Sequence, residues 1–176
     1  MNLRRRHALA AIPRLGAVTV LAVTALAVAS ACGGASSPSA SVAKVSFTAA
    51  DGSATSLSDL KGTATVVNLW ATWCSPCVKE MPAFDRVAAD TPGVRLIGIN
   101  VGDTAAAATA FATKLGVRYS QYTDPDGKLS AAFSVSGLPA TAFVDASGKV
   151  LEVHEGALTE QQLRDELARL HLTSTS

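Results

Sequence analysis

Two of the three cysteines in this chain stand in Trp73-Cys74-Ser75-Pro76-Cys77. A C-x-x-C pair has the spacing to open and close a disulfide on itself, a reaction in which one thiolate attacks and a second thiol resolves. The pair follows an apolar run and precedes a helical pattern, so Cys74 falls where a strand turns into a helix. A helix beginning just after Cys74 aims its unpaired backbone N–H groups and positive dipole end at that sulfur, which lowers the thiol pKa. Pro76 suits the first helical turn, where a missing N–H costs nothing. Cys74 is therefore the expected nucleophile. Cys77, one turn further in, is the expected resolving thiol and the more buried of the two. Glu80 lies three residues beyond Cys77 on the same helix face. It reads either as a solvated acid favoured by the helix dipole or as a carboxylate that accepts the Cys77 proton. A C-x-x-C is also half of a zinc site, which needs a second pair of ligands. Beyond residue 43 the chain offers only His154 and His171 for that purpose, so a metal is not expected.

The elements that position this pair are legible in the apolar pattern. Thr65 to Trp70, Val94 to Val101 and Ala140 to Asp145 are nearly continuous apolar runs, as central strands covered on both faces should be. Between them, Ala105 to Leu115 carries Ala108, Phe111 and Leu115 at helical spacing, with Gly116 as C-cap. The last helix has a capping box in Thr159 and Gln162, a staple in Leu158 and Leu163, and an apolar face of Leu163, Leu167 and Leu170. Asp145 to Lys149 reads as a hairpin loop leading into Val150 to Val153. Lys44 to Thr48, Asp51-Gly52 and Thr55 to Leu57 suggest a further small hairpin ahead of the first core strand. Together these predict an α/β domain with a central mixed β-sheet flanked by helices and an extra N-terminal β-hairpin. Pro82 is expected to bend the active-site helix, His154 to be an ordinary strand residue, and Asp124 and Asp126 to be turn residues.

The chain ends narrow the class further. Arg4, Arg5, Arg6 and Arg14 form a basic segment, and Leu15 to Ala31 then run without a charge to small residues. Residues 1–31 are read as an export signal, a stretch also long enough to span a bilayer. Ala29-Ser30-Ala31-Cys32 resembles a bacterial lipobox, whose cysteine is lipidated and becomes the mature first residue. Ala29-x-Ala31 also fits ordinary signal-peptidase cleavage, which would leave Cys32 a free thiol, but the lipidated reading is favoured. Residues 32–43 are Gly/Ser-rich, a tether reaching roughly 20 Å. Residues 44–176 suit one domain with a single core. The net charge is +1 and no basic cluster follows the signal, so nucleic acid is not an expected partner. Export implies an oxidising compartment.

Val66 through Pro82 resembles the active-site segment of the TlpA/ResA-like branch of the thioredoxin superfamily. The likeness extends to Leu57-Ser58-Asp59-Leu60-Lys61-Gly62, to Gly137-Leu138-Pro139-Ala140-Thr141, to Asp145-x-x-Gly148 and to the final helix. It implies a thioredoxin-like fold and a membrane-tethered thiol-disulfide oxidoreductase held outside the cell membrane. Its partners would be exported protein thiols and disulfides and a membrane electron donor or acceptor, and it would work as a monomer. It implies that Pro139 is a cis-proline facing the disulfide, and that Gly137 and Leu138 offer backbone to an extended substrate strand while Trp73 forms part of the docking surface. Glu80 matches a family glutamate, which favours the proton-accepting reading. Asn68 departs from thioredoxins proper, which usually carry a buried aspartate there. The resemblance favours reduction of apocytochrome c or another envelope protein, although some exported relatives are oxidants. A peroxiredoxin is disfavoured because Ala71 stands where its threonine should be, and a copper-delivery module because it uses a wider C-x-x-x-C pair. No cofactor is implied, since the disulfide itself carries the electrons.

Overall fold

A computed structural model describes residues 41–173. The export signal, Cys32 and most of the tether lie outside the described residues. The elements run β1 (Ser46–Ala49), β2 (Ala54–Ser56), a 3-10 turn (Leu57–Leu60), β3 (Ala64–Trp70), α1 (Ser75–Asp90), β4 (Val94–Val101), α2 (Ala105–Lys114), β5 (Ser120–Asp124), α3 (Lys128–Ala132), β6 (Ala140–Val144), β7 (Val150–Glu155) and α4 (Glu160–Arg169). The strands form one seven-stranded sheet in the order β2-β1-β5-β4-β3-β6-β7. β3 pairs in parallel with β4, and β4 with β5, each through a crossover helix; β6 then pairs antiparallel with β3, and β7 with β6. This is the thioredoxin-like α/β fold, with its mixed sheet and N-terminal hairpin as the sequence implied.

Side-chain alternation along β3 sorts the core into two layers. Val66 and Trp70 face α1, α2 and α4, packing with Met81, Phe84, Phe143, Leu163 and Leu167. Val67 and Leu69 face the other way, toward Phe47, Leu57, Leu129 and Phe133 from the hairpin, the 3-10 turn and α3. Full burial of a side chain the size of Leu163 or Phe84 contributes about 1.5–3 kcal/mol. α4 begins as its sequence dictates: Thr159 takes the Gln162 N–H while the Gln162 side chain returns to the Thr159 N–H.

The structure differs from the sequence reading in several places. β5 was not anticipated, because Ser120-Gln121-Tyr122-Thr123-Asp124 is polar and matches no apolar run. It exists because it is gripped on both sides, by β4 and by β1. Asp124 is more than a turn residue. It closes β5, is 1% exposed, and accepts the backbone N–H groups of Lys128, Leu129 and Ser130, which caps α3. β6 stops at Val144, since Asp145 turns its carboxylate onto the Ser147 and Lys149 N–H groups of the hairpin loop. Pro82 stands inside α1, the helix in which the sequence reading placed it.

Candidate active site

Cys74 and Cys77 are joined by a disulfide, their Cα atoms 5.3 Å apart. Cys74 is the N-cap of α1, and its sulfur accepts the Cys77 N–H at 3.3 Å, while its carbonyl takes the Val78 N–H at 3.1 Å. The sulfur thus sits where the first helical N–H groups and the positive end of the dipole converge. Cys74 is 4% exposed and Cys77 fully buried, the order expected of attacking and resolving residues.

Glu80, one turn beyond Cys77, is buried inside the protein rather than solvated on the helix surface. Oε1 accepts from Asn68 Nδ2 at 2.9 Å and Oε2 from the Leu158 backbone N–H at 2.9 Å. Asn68 in turn accepts the Tyr119 hydroxyl at 3.3 Å. Burial pushes the Glu80 carboxyl up from 4.5 to about 7, against the lowering effect of its two donors. Burial and the neighbouring Glu80 charge together hold the Tyr119 phenol far above its ordinary range, so it remains a neutral donor. An open groove of about 390 Å³ lies over this site, lined by Pro76, Lys79, Glu80, Ala83 and Leu158. The arrangement can therefore hold a proton near neutral pH.

The sheet brings the remaining expected residues to the same edge. Leu69 on β3 is paired with Ala140 on β6, so the loop from Trp70 to Cys74 emerges beside Gly137-Leu138-Pro139. The Leu138–Pro139 bond is cis, as the resemblance implied. The Pro139 carbonyl accepts the Gly156 N–H at 2.8 Å, Pro139 itself is buried, and Leu138 is half-buried against both core layers. Trp73 is 70% exposed, the only large apolar side chain among the described residues to be so open. Sequence reasoning did not single out Tyr119, Asp103 or Glu155, all of which bond to site residues or to the loops that carry them; none of them belongs to a motif.

The fold and the closed dithiol at a helix N-terminus define a class, the thiol-disulfide oxidoreductases of the thioredoxin superfamily. The chain belongs to the Redoxin family, whose pattern matches residues 34–168. It is 38% identical over 111 residues to the thiol-disulfide oxidoreductase ResA of Bacillus subtilis, a match spanning 62% of either chain. The structure of Mycobacterium tuberculosis dsbF, in mixed oxidised and reduced forms, superposes with a TM-score of 0.67 at 33% identity, covering 73% of this chain and 96% of that one. A secreted disulfide oxidoreductase of Mycobacterium tuberculosis, described as homologous to E. coli DsbE, superposes with a TM-score of 0.65 at 26% identity, covering 73% and 98%.

Proposed function

We propose that this protein is an exported thiol-disulfide oxidoreductase that reduces disulfides in extracytoplasmic proteins. The observation that carries the reading is the Cys74–Cys77 disulfide capping α1 with a buried carboxyl one turn away. In the reduced protein the Cys74 thiolate attacks one sulfur of a substrate disulfide, and the other substrate sulfur leaves as a thiolate and takes up a proton. Glu80 accepts the Cys77 proton, and the Cys77 thiolate attacks Cys74 Sγ. The second substrate sulfur is expelled and protonated in turn. Two electrons pass to the substrate, with one proton from Cys77 by way of Glu80 and one from solvent, and the protein returns to the disulfide form seen here. A dithiol donor in the membrane must then re-reduce it. Trp73, Gly137, Leu138 and Pro139 form the face on which the substrate strand lies. The resemblance supports apocytochrome c, or another envelope protein, as the substrate class.

Residues 1–31 act as the export signal, Cys32 carries the lipid, and residues 33–40 tether the domain to the outer face of the membrane. The tether stops short of residue 43, the end expected from its composition, because Val42 and Ala43 pack into the core and the Ala43 carbonyl accepts from Ser58. The sequence at Ala29-Ser30-Ala31-Cys32 supports this reading, as does the secreted relative. Intact-mass analysis of membrane-extracted protein tests it: a diacylglyceryl-modified Cys32 is expected, and an unmodified chain beginning at Cys32 refutes the tether.

Direction is tested by the reduction potential of the pair in glutathione or dithiothreitol buffers. A value near or below about −220 mV, toward the thioredoxin range, is expected of a reductant. A value near about −120 mV refutes reduction and makes the protein a disulfide-forming oxidase instead.

A further inference from the structure

The two loops that flank the disulfide are held by the same device, made from acids outside every motif. Thr72, two residues before Cys74, donates its backbone N–H to Asp103 Oδ2 at 2.8 Å and its hydroxyl to Asp103 Oδ1 at 2.9 Å. Ser136, three residues before Pro139, donates its N–H and its hydroxyl to Glu155 Oε2 at 3.1 and 2.6 Å. In each case one carboxylate takes a main-chain and a side-chain donor from a single residue, and such charge-assisted bonds are the strong ones.

The acids are themselves anchored. Asp103 is bracketed by the fully buried Asn100 at the end of β4, whose Nδ2 donates to Asp103 Oδ2 at 2.9 Å and whose Oδ1 accepts the Asp103 N–H at 3.2 Å. Glu155 ends β7, paired in register with Ala140. Burial works against ionisation at Asp103, but its donors outweigh burial and hold the carboxyl below its ordinary range. The Ser136 hydroxyl, with the Ser136 N–H, lowers Glu155 likewise. Register explains why both clamps reach the site: Trp70 lies beside Asn100, Leu69 beside Ala140, and Ala140 beside Glu155. Four strand ends therefore converge on one sheet edge. Between the clamps lie exposed Trp73 and the Leu138-Pro139 backbone, a surface that a partner would otherwise have to order on binding.

We propose that Asp103 and Glu155 are positioning residues that pre-organise the Trp73 and Leu138 loops into a rigid platform for a disulfide-bearing protein segment, without touching the reacting sulfurs. The inference rests on the exchange activity proposed above and adds the groups that set its affinity for protein substrates.

The test uses pre-reduced protein with two oxidants: insulin, a protein disulfide, and hydroxyethyl disulfide, too small to span the platform. Asp103→Ala and Glu155→Ala should each raise the half-saturating insulin concentration about tenfold, the combined net worth of the two hydrogen bonds that each carboxylate takes from its loop. The saturating rate and the hydroxyethyl disulfide rate should stay within about twofold of wild type, because the sulfurs keep their surroundings. Asp103→Asn and Glu155→Gln keep an oxygen for the loop N–H and should restore insulin affinity. Ser136→Ala, on an exposed residue, removes only the hydroxyl donor and should raise half-saturation about threefold. Unchanged half-saturation in the alanine variants, or equal losses on both oxidants, overturns the proposal. If wild type reduces neither oxidant, the exchange reading itself fails. The clamp at Asp103 is then judged by ¹⁵N relaxation of the Trp73 indole, whose order parameter should fall in Asp103→Ala and not in Glu155→Ala; an unchanged order parameter overturns it.

Discussion

Replacing Glu80 with Gln should change how the stability of the oxidised protein responds to pH, and the structure sets both sign and size. The carboxyl half-titrates at about 7 in the fold against 4.5 in its ordinary state. Between those values the native protein keeps a proton that the unfolded chain has already released. Stability therefore falls as pH rises through this window, at up to about 1.4 kcal/mol per pH unit, and levels off above the folded value. The full loss is about 3 kcal/mol once Glu80 is ionised in both states. Gln carries no such ionisation. Its oxygen satisfies one of the two donors, Asn68 Nδ2 or the Leu158 N–H, while its amide nitrogen meets the other, a mismatch worth about 1–3 kcal/mol. Glu80→Gln should thus be the less stable protein at pH 4.5, with the gap closing by about 3 kcal/mol, or reversing, by pH 8.5. Urea unfolding of the two oxidised proteins at intervals across that range reads this directly, since all other titrating groups are shared and cancel in the difference. A gap that stays constant with pH would refute the assignment of a raised carboxyl pKa, and with it the idea that Glu80 is poised to take a proton near neutrality.

The same substitution should slow resolution by Cys77 at pH 7 by about a hundredfold, the lower end of what a positioned proton acceptor contributes; stopped-flow mixing of reduced protein with a disulfide substrate measures it, and an unchanged rate removes Glu80 from the mechanism. Cys77→Ser should stop the reaction at the mixed disulfide, giving a covalent Cys74–substrate adduct on non-reducing gels, whereas Cys74→Ser should give none. Asp124→Ala strands three N–H groups at the start of α3 and should lower stability by about 3 kcal/mol in urea titrations. The Thr141 hydroxyl is buried without a partner among the described residues, so Thr141→Val should raise stability by about 1 kcal/mol, seen as a higher thermal midpoint.

What could be read in the sequence was whatever is local. The dithiol, its capping position on α1, the central strands β3, β4 and β6 and the capping box of α4 all follow from spacing within a few residues. β5 escaped because its apolar content is low and its stability comes from neighbours far along the chain. Glu80 was placed on the right helix face, yet its burial was invisible, since the donors that fix it come from residues 12 positions earlier and 78 positions later. Asp103 and Glu155 matched no pattern at all. Their relation to Thr72 and Ser136 is created by strand register, and only a sheet order shows it.

The Leu158 N–H that completes the Glu80 site has a consequence for the protein's birth. A chain is made from its N-terminus, and its segments become available to fold in that order. Cys74, Cys77 and Glu80 are therefore synthesised well before Leu158 and the α4 helix it introduces. In that interval Glu80 lacks one of its two anchors and part of the enclosure that raises its affinity for protons. The Glu80 site is completed only with the last helix: a chain truncated before Leu158 would carry the C-x-x-C motif and the helix N-terminus that caps Cys74, with its proton acceptor half anchored.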